Sequence, residues 1–267
     1  MTISARSLAT DRGGMTWLES GAGWPVILLH AFPLEAEIWR PQLDCVPQGW
    51  RFIAPDLRGF GRFLPPLGGR ELTMDDYAAD VLALMDTLEL DDAVIGGLSM
   101  GGYVAFAMHR QAPLRFSGLV LADTRPQADT PQSREMRQQL RELLRTGGAR
   151  ALAAQSLPKL FSTTAAPEVV SRTRAMIESA PPAAIDAALV AMMSRPDSTA
   201  GLANISCSAL VVVGERDEIT PAADAEAMQR AIPRSSLCVI PGAGHLSSLE
   251  QPEVFSRALS DFLLARL

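Results

Sequence analysis

Six short apolar runs constrain this chain more than any other feature: PVILLHA (25–31), RFIAPD (51–56), DAVIGGLS (92–99), FSGLVLADT (116–124), SALVVVGERD (208–217) and SSLCVIPGA (235–243). A strand with one solvated face alternates apolar and polar residues, whereas a strand covered on both faces reads as a continuous apolar run. These runs are of the second kind, and each ends on polar residues or glycine. Helical stretches lie between and around them at 35–46, 74–90, 100–110, 221–232 and 252–267. Alternation of that sort predicts an α/β fold with a doubly wound, mostly parallel sheet. The start of the chain, including MTWLES at 15–20, is expected to add a short antiparallel edge.

Residues 126–200 interrupt the alternation. REMRQQLRELLR places Met136, Leu140, Leu143 and Leu144 at helical spacing, and AAIDAALVAMM does the same with Ile185, Leu189, Met192 and Met193. PQADTP opens the segment and RPDSTAG closes it. The expected organisation is therefore a core of residues 1–125 and 201–267 with a helical cap, 126–200, inserted after the fourth run. With 267 residues and 48% hydrophobic content, the chain can bury one large core and one insertion.

Charge and cysteine usage narrow the function classes. Thirty acidic against 24 basic residues leave a formal charge of −6, which disfavours an electrostatic grip on nucleic acid or an anionic membrane. Lys159 is the sole lysine and has no apolar pocket signature around it, so Schiff-base chemistry is not indicated. Cys45, Cys207 and Cys238 lack paired spacing, so they are expected to be buried thiols in a reducing compartment. MTISARSLATDRGG lacks the apolar core of a signal peptide, and no run reaches the ~20 residues of a membrane span. The expected location is cytoplasmic.

The densest chemical signal is VIGGLSMGGY at 94–103. A strand that must reverse at once into a helix puts its turning residue in a strained backbone, tolerable when the positions two before and two after are tiny. Gly97 and Gly101 flank Ser99 in that manner, matching the Gly-x-Ser-x-Gly nucleophile elbow. A serine hydroxyl needs a base. Of three histidines, His109 lies ten residues on, roughly 15 Å along a helix, and is expected to complement that helix's C-terminal dipole as a charge. His30 ends the first run, where a loop commonly supplies backbone N–H groups instead of a base. His245, freed from strand and helix by Pro241-Gly242-Ala243-Gly244, is the candidate base.

Such a base requires a carboxylate to hold its tautomer. Asp217 ends the run before that of His245, and one helix and one strand fit between them, so both loops emerge at the same sheet edge. Asp123, ending the fourth run, is the other acid within reach; Asp217 is preferred because its loop does not start the cap. Glu215 is expected to face solvent or cap the turn. The cap stripes, with Leu140 and Met192 foremost, are candidates to roof an apolar pocket rimmed by Phe32 and Leu34.

Taken together, LLHAFPL, APDLRGFGR, GGLSMGG, GERDEITP and PGAGHLSSLEQP run in one register through essentially the whole chain. The chain resembles an α/β-hydrolase of the single-domain esterase and lactonase type, whose order is serine, acid, histidine. The resemblance implies an oxyanion hole from the backbone N–H groups of Phe32 and Met100. It also implies a small ester or lactone substrate, no metal and no organic cofactor. A serine at the elbow argues against the dehalogenase and epoxide hydrolase branches. Two residues depart from the family: Ala31 stands where relatives carry glycine, and Phe63 stands where they carry a small residue, in a loop expected near the mouth. Rival expectations are an enol-lactone hydrolase or a cofactor-free peroxidase on the same triad, and, outside enzymes, a ligand receptor on the same fold.

Overall fold

The strand preceding Ser99 has no solvent-facing side, and the sheet is built around it. The structure, a computed structural model, describes residues 2–10, 13–63 and 71–265. Eight strands form one sheet: β1 (Ser4–Thr10), β2 (Gly13–Gly21), β3 (Trp24–Leu29), β4 (Trp50–Pro55), β5 (Ala93–Leu98), β6 (Phe116–Ala122), β7 (Ser208–Gly214) and β8 (Ser235–Ile240). Their order is β1-β2-β4-β3-β5-β6-β7-β8. Every residue of β5 is buried, as its unbroken apolar sequence requires.

Pairing from β4 to β8 is parallel, while β1 and β2 form an antiparallel hairpin in which β2 pairs with β4. The antiparallel edge expected from MTWLES is thus a two-stranded addition, with β1 outermost. All six apolar runs are strands.

The helices are α1 (Arg40–Leu43), α2 (Met74–Thr87), α3 (Met100–Gln111), α4 (Pro131–Leu160), α5 (Pro167–Ser179), α6 (Pro182–Met193), α7 (Ala222–Ala231), α8 (Ser247–Glu250) and α9 (Pro252–Leu264). Thr73 caps α2 in a reciprocal box: its hydroxyl accepts the Asp76 N–H, and Asp76 accepts the Thr73 N–H. The stretch 35–46 differs from expectation. A 3₁₀ turn at Ala36–Trp39 gives way to the one-turn α1, because Pro41 lacks the N–H that a continuous helix would need there. Cys45, expected to be buried, is exposed at the end of α1, and its thiol donates to the Pro41 carbonyl at 3.0 Å.

A helical insertion, α4–α6, lies between β6 and β7. It holds three helices where the stripes had indicated two. Gly148 breaks α4 with φ 68° and ψ −173°, and α5 carries the less apolar sequence PEVVSRTRAMIES. The most apolar helix, α6, buries Ile185, Ala188, Leu189 and Met192. Met136, expected on the underside, is 48% exposed: the charged start of α4 turns that position to solvent. Arg195 clamps the two ends of the insertion. It is bonded to Asp129, the Gln127 carbonyl and the Met192 carbonyl, with its guanidinium 4.0 Å above the Tyr103 ring of α3. Among the described residues no single helix is long and apolar enough to cross a membrane.

Candidate active site

Ligand sites of open α/β sheets form beyond the carboxyl ends of the strands, and the chemically distinctive side chains gather there. Ser99 stands between β5 and α3 with φ 54° and ψ −111°, a conformation non-glycine residues rarely hold. Its N–H donates to the Ala122 carbonyl at 2.9 Å, and its carbonyl accepts the Thr124 hydroxyl at 2.8 Å. The flanking glycines are required by proximity. A Cβ on Gly97 would lie 2.3 Å from Gly101, and one on Gly101 would lie 2.2 Å from the Leu29 carbonyl oxygen. The helix start and β3 can approach only over bare backbone.

His245, 2% exposed, projects from the loop after β8. Its Nε2 lies 2.8 Å from Ser99 Oγ, and its Nδ1 lies 2.8 Å from Asp217 Oδ2. An ionised carboxylate only accepts, so Nδ1 carries the proton and Nε2 presents its lone pair to the serine hydroxyl. Asp217 is itself held from behind: Oδ1 accepts the N–H groups of Ile219 at 2.8 Å and Thr220 at 2.9 Å, and Oδ2 accepts the Thr220 hydroxyl at 2.5 Å. Burial pushes the Asp217 carboxyl up. The His245 imidazole and these hydrogen bonds outweigh burial and hold it below the usual carboxylate range.

Asp123, the other acid considered, makes no hydrogen bond to His245. Its oxygens accept the Gly214 N–H and the Ser247 hydroxyl. Glu215 is exposed and caps the turn, accepting the Gly242 N–H at 2.8 Å.

His30 is fully buried and far from base duty. Nδ1 donates to the Ala31 carbonyl at 3.0 Å, Nε2 accepts the Leu57 N–H at 2.9 Å, and burial lowers its pKa. It ties the loop after β3 to the loop after β4. His109 does not carry the charge expected of it: half-buried against Phe116, with ring centroids 5.3 Å apart, it has a pKa lowered by burial. Phe63 is also placed differently. It is fully buried under the Arg58 guanidinium, 5.8 Å away, so it belongs to the core and not to a mouth.

Among the described residues, the N–H groups of Phe32 and Met100 have no protein acceptor. Met100 opens α3, whose first N–H groups are unpaired by helix geometry. Phe32 is half-buried and Leu34 is buried. Leu34 lines a cavity of about 120 Å³ with Phe60, Met176, Ala180 and Pro181, between the loop after β3 and the α5–α6 corner. Leu140 is half-buried and Met192 is 2% exposed; neither lines that cavity, and the Met192 sulfur accepts from Arg137 at 3.3 Å.

Three supporting residues were not singled out from sequence. Thr220 secures Asp217. Asp56 accepts the Ala36 N–H at 2.9 Å, the Arg62 N–H and the Thr16 hydroxyl, fixing the end of the Phe32 loop. Glu250 accepts the N–H groups of Gly244 and Ser162, joining the His245 loop to the end of α4. Each sits in a motif already quoted, two or more residues from its principal, which is the signal a local reading could have used.

Residues 25–252 match the model of the alpha/beta hydrolase fold family. The chain belongs to that family. Its structure is similar to a thermophilic esterase from Thermogutta terrifontis, at 39% identity over 98% of this chain and 99% of the other, with a TM-score of 0.91. It is also similar to the enol-lactonase from Burkholderia xenovorans LB400, at 25% identity over 97% and 100% of the two chains, with a TM-score of 0.87. A curated relative, 3-oxoadipate enol-lactonase 2 of Acinetobacter baylyi, is 27% identical over 88% of this chain and 86% of its own length. The sheet and the helical insertion α4–α6 of this chain are those of the α/β-hydrolase fold, and a fold by itself does not fix the chemistry it hosts.

Proposed function

We propose that the protein is a serine hydrolase of carboxylic esters, with Ser99 as nucleophile, His245 as general base and Asp217 as the carboxylate that orients it. The observation that carries this reading is the continuous chain Ser99 Oγ, His245 Nε2, His245 Nδ1, Asp217 Oδ2, with 2.8 Å at both links, beside two unpaired N–H groups. The Ser99 proton passes to His245 Nε2 as Oγ attacks the ester carbonyl. The N–H groups of Phe32 and Met100 receive the resulting oxyanion. Collapse expels the alcohol, which takes the proton from His245. Water, deprotonated by the same imidazole, then releases the acid and restores Ser99. Asp217 stabilises the imidazolium throughout.

The substrate is small and largely apolar, in keeping with Phe32 and Leu34 as its contacts and with residues 126–200 as the cap above it. A lactone is the second reading, favoured by the likeness to enol-lactonases over nearly the full chain. In that case the leaving alcohol stays attached to the acyl group. The test is covalent labelling with a fluorophosphonate followed by peptide mapping, beside kinetics of Ser99→Ala on a panel of esters and lactones. The adduct is expected on Ser99, and the variant is expected to lose turnover of every member while remaining folded. Wild-type turnover by Ser99→Ala refutes the assignment, and the panel ranks ester against lactone.

A further inference from the structure

The carboxyl edge of the sheet carries a second carboxylate that the hydrolytic chemistry above does not use. Asp123 follows β6, is fully buried, and holds φ 46°, a left-handed backbone that aspartate tolerates better than most non-glycine residues. Its N–H donates to the Val212 carbonyl at 2.9 Å. Oδ1 accepts the Gly214 N–H at 2.8 Å, and Oδ2 accepts the Ser247 hydroxyl at 2.5 Å. Gly214 is the last residue of β7, and its carbonyl receives the Asp217 N–H at 3.1 Å. Ser247 lies two residues after His245. The next residue, Thr124, donates to the Ser99 carbonyl. Two adjacent residues therefore bond to all three loops that carry Ser99, Asp217 and His245.

We propose that Asp123 is a positioning residue of the hydrolytic centre: it fixes the Asp217 and His245 loops to each other, and its negative charge supports the imidazolium of His245 while Ser99 is deprotonated. This rests on the reading of Ser99, His245 and Asp217 as the reacting set. Among the described residues no cation bonds to Asp123. The ionisable groups facing it are Asp217 and His245, alongside the Ser247 hydroxyl and the Gly214 N–H. Burial, with the Asp217 charge adding to it, pushes its carboxyl up to about 7, against the pull of His245 and the two hydrogen bonds. An acid whose folded pKa lies above its unfolded value costs stability as pH rises from the unfolded value of 3.8 through about 7, and the cost is fully present above that window. A fully buried carboxyl bonded to both the Asp217 and the His245 loops is placed to act on those two groups.

Asp123→Asn separates charge from shape. The amide oxygen still accepts from Gly214, and the amide nitrogen donates to Ser247 once its hydroxyl rotates. The readout is the pH profile of kcat on an ester. For Asp123→Asn, kcat is expected to fall about tenfold above pH 8, where the wild-type carboxyl is ionised, and to approach wild type below pH 6, where it is protonated, with KM little changed. Wild-type kcat at every pH overturns the proposal. So does the same loss at every pH with a lowered melting temperature, since support of the backbone alone would do that. Fluorophosphonate labelling separates the two readings: a wild-type profile in Asp123→Asn with the adduct on Ser99 overturns this proposal alone, whereas an adduct elsewhere sinks the hydrolase reading.

Discussion

Asp217→Asn offers the sharpest test of the site because the surroundings dictate which way the new amide must point. Oδ1 of Asp217 receives two backbone N–H groups, from Ile219 at 2.8 Å and Thr220 at 2.9 Å. An asparagine must keep its carbonyl oxygen there, since an NH₂ would face two donors. The NH₂ is then forced onto the position of Oδ2, 2.8 Å from His245 Nδ1. A donor at that point selects the tautomer with the proton on Nε2, aimed at Ser99 Oγ, so the base has no lone pair for the serine proton. Loss of the proper tautomer in a triad of this design costs ~10⁴ in kcat. At about 1.4 kcal/mol per tenfold, that is about 5 kcal/mol of transition-state stabilisation. KM should change little, because the ground-state ester touches neither atom. The assay is steady-state hydrolysis of p-nitrophenyl butyrate across pH 6–9, with circular dichroism to verify the fold. Asp217→Asn retaining a tenth of wild-type kcat would refute the reasoning, as would a larger loss in Asp123→Asn.

The other predictions bear on the elbow, the pocket and acid stability. Gly101→Ala puts a Cβ 2.2 Å from the Leu29 carbonyl oxygen, so the start of α3 must retreat by about 1 Å. The expected outcome is ~1–3 kcal/mol of destabilisation and a 10²–10³-fold loss of kcat, of the order that follows loss of one oxyanion donor; a wild-type melt and rate would contradict it. For acyl chain length, about 0.8 kcal/mol per buried methylene gives roughly a fourfold rise in kcat/KM per carbon until the pocket is full. Met176→Ala, at the cavity wall, is expected to move that optimum to longer esters, whereas Met192→Ala and Leu140→Ala, outside that wall, are expected to leave it in place; a uniform fall across chain lengths excludes Met176 from the pocket. Because the Asp217 carboxyl is held below its ordinary range, it contributes stability that is present above about pH 4 and lost as pH falls through its depressed folded value. Acid melts of wild type and Asp217→Asn should therefore converge below pH 4; a constant gap at all pH values would contradict this.

What was legible in the sequence is whatever a short segment decides by itself. A strand covered on both faces must be apolar throughout, so β3 to β8 announce themselves, and their alternation with helices implies the parallel sheet. The Ser99 turn is equally local, since its glycines, serine and flanking elements occupy ten residues. Chain order along the sheet edge then placed Asp217 and His245 among very few candidates. Local periodicity was a poor guide in the insertion. It missed α5, whose sequence is mixed, and it counted Met136 as part of an inward stripe although that turn of α4 faces solvent. Tertiary packing also buried Phe63 beneath Arg58, left Cys45 exposed and turned His109 against Phe116 in place of a free charge. The choice between Asp217 and Asp123 belongs to the same class. Both close a strand at one edge, and their sequences say only that each is near His245; a hydrogen bond is decided by tenths of an ångström. The 2.8 Å contact of Asp217 to Nδ1 spans 28 residues, and the capture of Asp123 by Gly214 and Ser247 spans 91 and 124, separations that no local pattern encodes.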